Sequence, residues 1–135
     1  ATWPLADDPM GVRMNSLPKY VASRTLSEVT WNATLLTGDV AVAVAKLKET
    51  GAQIQVHGSG TLVQTLLRAN LVDELHLVTI PVLLGGGKRL FGDGTIPGRF
   101  DLVASEVALT GAVLARYARA GDLEYGAVGP ETGNW

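Results

Sequence analysis

Cysteine is absent from the 135 residues, which excludes disulfides and thiolate metal sites and suits a reducing cytosol. Histidine is scarce: His57 and His76 are the only two, and two distant imidazoles without a thiol make a poor metal set. No apolar run nears the roughly 20 residues that cross a bilayer, and no signal peptide is recognisable. The Asn32-Ala33-Thr34 sequon therefore reads as an accident. Basic runs are missing as well. With 11 Lys and Arg against 13 Asp and Glu the net charge is −2, which argues against nucleic acid or an anionic membrane as the main partner. Any phosphate site must then be local. A Gly-x-Ser-x-Gly elbow is also lacking, because Gly58-Ser59-Gly60 does not have that spacing, and hydrolase chemistry loses its best support.

What the chain does contain is a core and many turns. Apolar residues make up 47% of it, the mean hydropathy is +0.21, and the length fits one domain spanning residues 1–135. Sixteen glycines with 6% aromatics fit short strands joined by turns.

The stretch Gln53 to Leu75 organises the reading. Ile54 and Val56 alternate with Gln53, Gln55 and His57, the period of a strand, and Leu62, Val63, Leu66, Leu67 and Leu71 then recur at helical spacing. Between them lie Gly58, Ser59 and Gly60, so a helix is expected to begin near Ser59 to Thr61. The first N–H groups of a helix lack internal partners, the helix dipole adds partial positive charge, and two missing Cβ atoms let an anion approach. The dipole alone contributes about 0.3–1 kcal/mol, so useful affinity needs several N–H bonds and the Ser59 and Thr61 hydroxyls. The plainer alternative is a tight turn with Ser59 or Thr61 as N-cap.

Around this stretch the residues from Ala1 to Pro18 read as connecting chain, punctuated by Pro4, Pro9, Gly11 and Pro18. Lys19 to Leu26 and Trp31 to Leu36 read as short strands. Asp39 caps a helix with Val40, Val44 and Leu47 on one face and Gly51 past its end. His76 to Leu84, almost continuously apolar, reads as a strand buried on both faces, with Pro81 marking an edge or bulge. Gly85-Gly86-Gly87-Lys88-Arg89-Leu90-Phe91 makes a flexible basic loop. Asp101 to Val107 and Ala112 to Ala118 form a hairpin about Thr110-Gly111, and residues 121–135 are expected to be a mobile tail. This order predicts a three-layer α/β fold with a central, mostly parallel sheet flanked by helices and a C-terminal antiparallel hairpin, with ligands at the carboxyl ends of strands.

The blocks VHGSGTLVQTLL, LVDEL and PVLLGGGKRLF, in that order, resemble the dihydrofolate reductase-like superfamily, in particular the reductase domain of bacterial riboflavin biosynthesis, over about Met14 to Ala118. The resemblance implies NADPH bound across the strand ends and hydride transfer to a small pteridine-like or pyrimidine-like substrate. It also implies a homodimer. It assigns Gly58, Ser59, Gly60, Thr61 and Leu62 to the cofactor's pyrophosphate and Ser23 and Arg24 to its 2′-phosphoadenosine end. An arginine bonded to a phosphate contributes about 1.5–3 kcal/mol, enough to distinguish NADPH from NADH. His57 falls where the riboflavin enzymes carry a carboxylate near the substrate, which makes it the candidate substrate-binding residue and the candidate general acid; the alternative is a strand-end histidine bonded to backbone. His76 reads as structural. Lys88 and Arg89 either reach cofactor phosphates or lie in a solvated loop. The family's first strand, its helix and a Gly-Arg motif are not recognisable here, so an N-terminally incomplete domain is expected. The rival reading is a noncatalytic nucleotide-binding or dimerisation module.

Overall fold

The computed structural model describes residues 3–123, 125 and 126; most of the expected tail lies outside the described residues. The chain divides into two compact units, Ala1–Val56 and His57–Trp135.

The first unit opens with a turn of 3-10 helix, Trp3–Leu5, and helix α1, Pro9–Ser16. Connecting chain was expected here, and the punctuating residues turn out to build the helix. Asp8 is its N-cap, with Oδ1 accepting from Met10 N–H at 2.9 Å and Gly11 N–H at 3.0 Å. Pro9 occupies the first helical position, where its missing N–H costs nothing. Gly11 is buried, and a Cβ there would lie 2.4 Å from the Ala6 Cβ and 2.7 Å from the Ala6 carbonyl oxygen, so only glycine allows the preceding turn to fold back this closely.

Strands β1, Lys19–Ala22, and β2, Ala33–Leu36, pair in parallel, with Lys19 opposite Ala33 and Ala22 opposite Leu36. Trp31 and Asn32 turn the chain into β2 with φ of 64° and 51°. The Asn32 amide donates to the Ser16 and Leu17 carbonyls at 3.3 and 3.0 Å, and Lys19 Nζ lies 4.4 Å from the Trp31 ring centroid. Helix α2, Val40–Glu49, follows as expected. Asp39 Oδ1 accepts from Ala41 and Val42 N–H at 2.8 and 3.1 Å, Val44 is buried, and Gly51 takes φ +74° beyond Thr50.

The strand expected at Gln53 to His57 is not formed: residues 52–57 belong to no ladder. Alternation makes a segment suitable for a sheet, yet a strand exists only when another backbone takes up its N–H and C=O groups, and none does among the described residues. The strands that do form fall into two sheets, and two of the three pairings among the described residues are antiparallel.

The second unit contains helix α3, Gly60–Arg68, and strands β3, Glu74–Thr79, β4, Phe100–Val107, and β5, Val113–Arg119, in the spatial order β3-β5-β4. Asn70, left-handed at φ 56°, closes α3, and Leu71 N–H returns to the Leu66 carbonyl at 2.9 Å. The hairpin forms where expected, with Gly111 at φ +80° and its N–H bonded to the Ala108 carbonyl at 2.8 Å. Leu66, Leu67, Leu75 and Ala112 are buried. The expectation of a β3 buried on both faces fails: Leu75 is buried, while Glu74, His76 and Val78 are exposed. Among the described residues β3 pairs with β5 alone, so it is an edge strand there, with one covered face. It stops before Pro81, which has no N–H for a ladder. Leu83 and Leu84 lie outside it, fully and largely exposed at 102% and 83%.

Candidate functional site

Backbone handedness shapes the bend before α3. Gly58 has φ +77° and Ser59 has φ 60°, ψ 71°, and Gly60 then enters the helix. A non-glycine residue held in the left-handed region costs on the order of 1–3 kcal/mol. Ser59 carries this strain and its side chain makes no cap bond to α3. The sequence alternative of a serine-capped turn is therefore not what forms. Aspartates cap α1 and α2, whereas the first bond closing α3 runs from Val63 N–H to the Ser59 carbonyl at 3.0 Å. The amides of Gly60, Thr61 and Leu62 precede it and have no intrahelical acceptor. A Cβ built on Gly58 or Gly60 would meet no heavy atom within 4 Å, so the space over the bend is open. A left-handed residue followed by helical ones turns successive N–H groups into a concavity that favours anions. The donors and the room suit a pyrophosphate.

Ser23 and Arg24 follow β1 directly, at its carboxyl end. The Ser23 Oγ accepts from Thr25 N–H at 3.2 Å and Leu26 N–H at 3.1 Å and lies 3.4 Å from the Thr25 hydroxyl, so it orders the turn. Arg24 is exposed. Each group of expected site residues stays together in its own unit: Ser23 and Arg24 in the first, His57 and Gly58 to Leu62 in the second. His57 is exposed. His76 lies on β3 with Nε2 2.9 Å from Glu74 Oε2, the carboxylate that also lies 3.9 Å from Arg116 Nη1.

Lys88 and Arg89 occupy an exposed loop whose far end is tied to α3 by a residue that sequence reasoning passed over. Gln64 Nε2 donates to the Leu90 carbonyl, and Thr95 Oγ1 donates to Gln64 Oε1 at 3.1 Å. The available signal was a long amide side chain among the leucines of α3, beside Thr65. Two shallow hollows lie elsewhere, one of about 270 Å³ on the sheet between His76 and Glu106 and one of about 410 Å³ beside β1 and Trp31. Neither is lined by the bend, and an anion held by backbone amides at a helix start needs no deep cavity.

These features define an α/β protein with an open, uncapped helix start at a glycine bend. More particularly, the chain belongs to the RibD C-terminal domain family, which it matches over residues 1–114. It is 40% identical over 81 residues to the uncharacterized protein YyaP of Bacillus subtilis strain 168, a match covering 59% of this chain and 43% of YyaP. Among solved structures it resembles one titled "Putative riboflavin biosynthesis protein" from Shewanella sp. PV-4, with TM-score 0.68 and 31% identity over 78% of this chain and 62% of that one. A pyrimidine reductase-like protein from Corynebacterium diphtheriae shares the fold, with TM-score 0.55 and 22% identity over 67% of this chain and 40% of that one. The chain thus spans less than half of the curated relative it matches.

Proposed function

We propose that this domain serves an NADPH-dependent reductase that passes hydride to a small pteridine-like or pyrimidine-like ring, and that it works as a homodimer. The observation that carries the reading is the open amide concavity at Gly58 to Leu62 in a chain of the RibD C-terminal domain family. Bound there, the cofactor would supply the hydride. The chain's own part is to hold and orient. The amides of Gly60, Thr61 and Leu62 grip the pyrophosphate, the Ser59 and Thr61 hydroxyls add donors, and Arg24, helped by the Ser23 hydroxyl, binds the 2′-phosphate. His57 would donate the proton that accompanies reduction, an imidazole N–H being a suitable general acid.

One observation favours a second reading, a noncatalytic nucleotide-binding or dimerisation module: His57 is exposed and no hydrogen bond orients its ring among the described residues. Titration with NADPH and NADH, followed by nicotinamide fluorescence, tests the proposal. Tighter binding of NADPH supports the reductase. If NADPH binds and a panel of pteridine and pyrimidine substrates is never reduced, the module reading takes its place. No binding of either nucleotide removes the reductase reading.

A further inference from the structure

Asp93-Gly94 is the one Asp-Gly pair in the chain, and Asn-Gly does not occur. An aspartate before glycine can react with its own backbone, because the following amide nitrogen reaches the side-chain carboxyl carbon unhindered by a Cβ. The pair lies in the twenty residues, 80–99, that join β3 to β4 without helix or strand. Both residues are exposed, Gly94 has φ +76°, and a Cβ built on it would meet no heavy atom within 4 Å. Among the described residues neither the Asp93 carboxylate nor the Gly94 N–H has a hydrogen-bond partner. Nucleophile and electrophile are therefore adjacent and unengaged. What restrains them is the surrounding turn. Thr95 N–H donates to the Gly92 carbonyl at 3.2 Å, closing a β-turn about the pair. The Thr95 hydroxyl is shared between that carbonyl at 2.8 Å and Gln64 Oε1 at 3.1 Å, and Gln64 Nε2 donates to the Leu90 carbonyl. A side chain of α3 thus steadies the turn from outside, and ring closure at Asp93 needs the turn to open locally.

We propose that Asp93-Gly94 is a site of spontaneous isomerisation to isoaspartate, paced by the clamp that Gln64 and Thr95 form. The Gly94 nitrogen bonds to Asp93 Cγ, the carboxyl OH leaves with the amide proton as water, and a five-membered succinimide remains. Water then opens the ring. Cleavage at Cγ restores aspartate, whereas cleavage at the Asp93 main-chain carbonyl carbon leaves the chain running through the side chain. One water is lost and one is taken up, and no oxidant or reductant takes part. The new link holds one more carbon between the Asp93 Cα and the Gly94 nitrogen, which a four-residue turn does not accommodate. Thr95 then parts from Gly92 and Gln64, and the loop loses its tie to α3. The inference is independent of the proposed function.

Ageing the purified chain at neutral pH and body temperature tests it. Isoaspartate is measured as methyl transfer from labelled S-adenosylmethionine by protein isoaspartyl methyltransferase, and located in the tryptic peptide 90–99. That peptide should split over days to weeks into two peaks of equal mass. Asp93→Glu, which would need a six-membered ring, should stay single, and Asp93→Asn, whose amide leaves as ammonia, should age several-fold faster. A peptide 90–99 that stays single in the wild type, or an Asp93→Asn chain that ages no faster, overturns the site. Gln64→Ala should age about twofold faster or more, since the turn opens more often; Thr95→Val repeats the measurement if circular dichroism shows Gln64→Ala to be poorly folded. Ageing at the wild-type rate in the folded variant overturns the pacing by the clamp. Trypsin should cleave aged wild type after Lys88 and Arg89 faster than fresh protein, and equal rates overturn the release of the loop.

Discussion

Ser59 concentrates the residue-scale argument, because it is left-handed and takes no capping bond. Glycine in its place would relieve about 1–2 kcal/mol of strain, visible as a higher urea midpoint. If backbone amides carry the anion, Ser59→Gly should bind NADPH within about threefold of the wild type; a tenfold loss would mean the hydroxyl carries roughly 1.4 kcal/mol of the affinity. Gly58 at φ +77° makes the opposite case. Gly58→Val forces a β-branched residue into a region it resists and should weaken NADPH and NADH alike, with circular dichroism showing α3 retained. Equal affinity with an intact helix would remove the bend from the site. Arg24→Ala tests the other end of the cofactor. Loss of a charged hydrogen bond of about 1.5–3 kcal/mol should weaken NADPH by about ten- to a hundredfold and NADH hardly at all. At this scale the sequence was informative because glycine spacing reports backbone freedom directly. It could not show that Ser59 would be strained, or that its hydroxyl would leave the helix uncapped.

Elements follow local chemistry where the chemistry is local. Asp39 and Gly51 delimit α2 as read from the sequence, Thr110-Gly111 closes the β4–β5 hairpin, and α3 starts at Gly60. Departures occur where a partner decides the outcome. Gln53 to His57 has strand alternation and no ladder, and the apolar run from Ile80 to Leu84 leaves β3 at an edge instead of extending it. Helix α1 departs from the sequence reading for another reason: proline and glycine ordinarily break helices, yet Pro9 is at the helical position that favours it and Gly11 is there for packing. The consequence is measurable. Asp8→Ala should cost about 1 kcal/mol through lost capping. Gly11→Ala, though it improves helix propensity, should cost about 1–3 kcal/mol because its methyl would overlap Ala6. Urea unfolding that showed Gly11→Ala neutral or stabilising would mean that the turn before α1 gives way freely.

For the whole molecule, surface that the chain leaves uncovered is the controlling fact. Among the described residues β3 and β4 each pair on one side only, and Val78, Leu102 and Val107 on these strands are 60%, 56% and 69% exposed. Unpaired edges and exposed aliphatic side chains favour association, and a net charge of −2 opposes it weakly. A homodimer is therefore the expected state, with a mass twice the 14.2 kDa of one chain by sedimentation equilibrium. Since apolar burial would drive it, raising sodium chloride from about 0.1 to 1 M, which shortens the screening length from roughly 10 to 3 Å, should leave the dimer intact. Lysine at Leu102 or Val107 should shift it toward monomer if those strands lie in the interface. A chain that stays monomeric throughout the micromolar range would reject the dimer. Dissociation by salt alone would instead assign the contact to charged groups such as Glu74, Arg116 and Glu106, and the exposed aliphatic residues would need another partner.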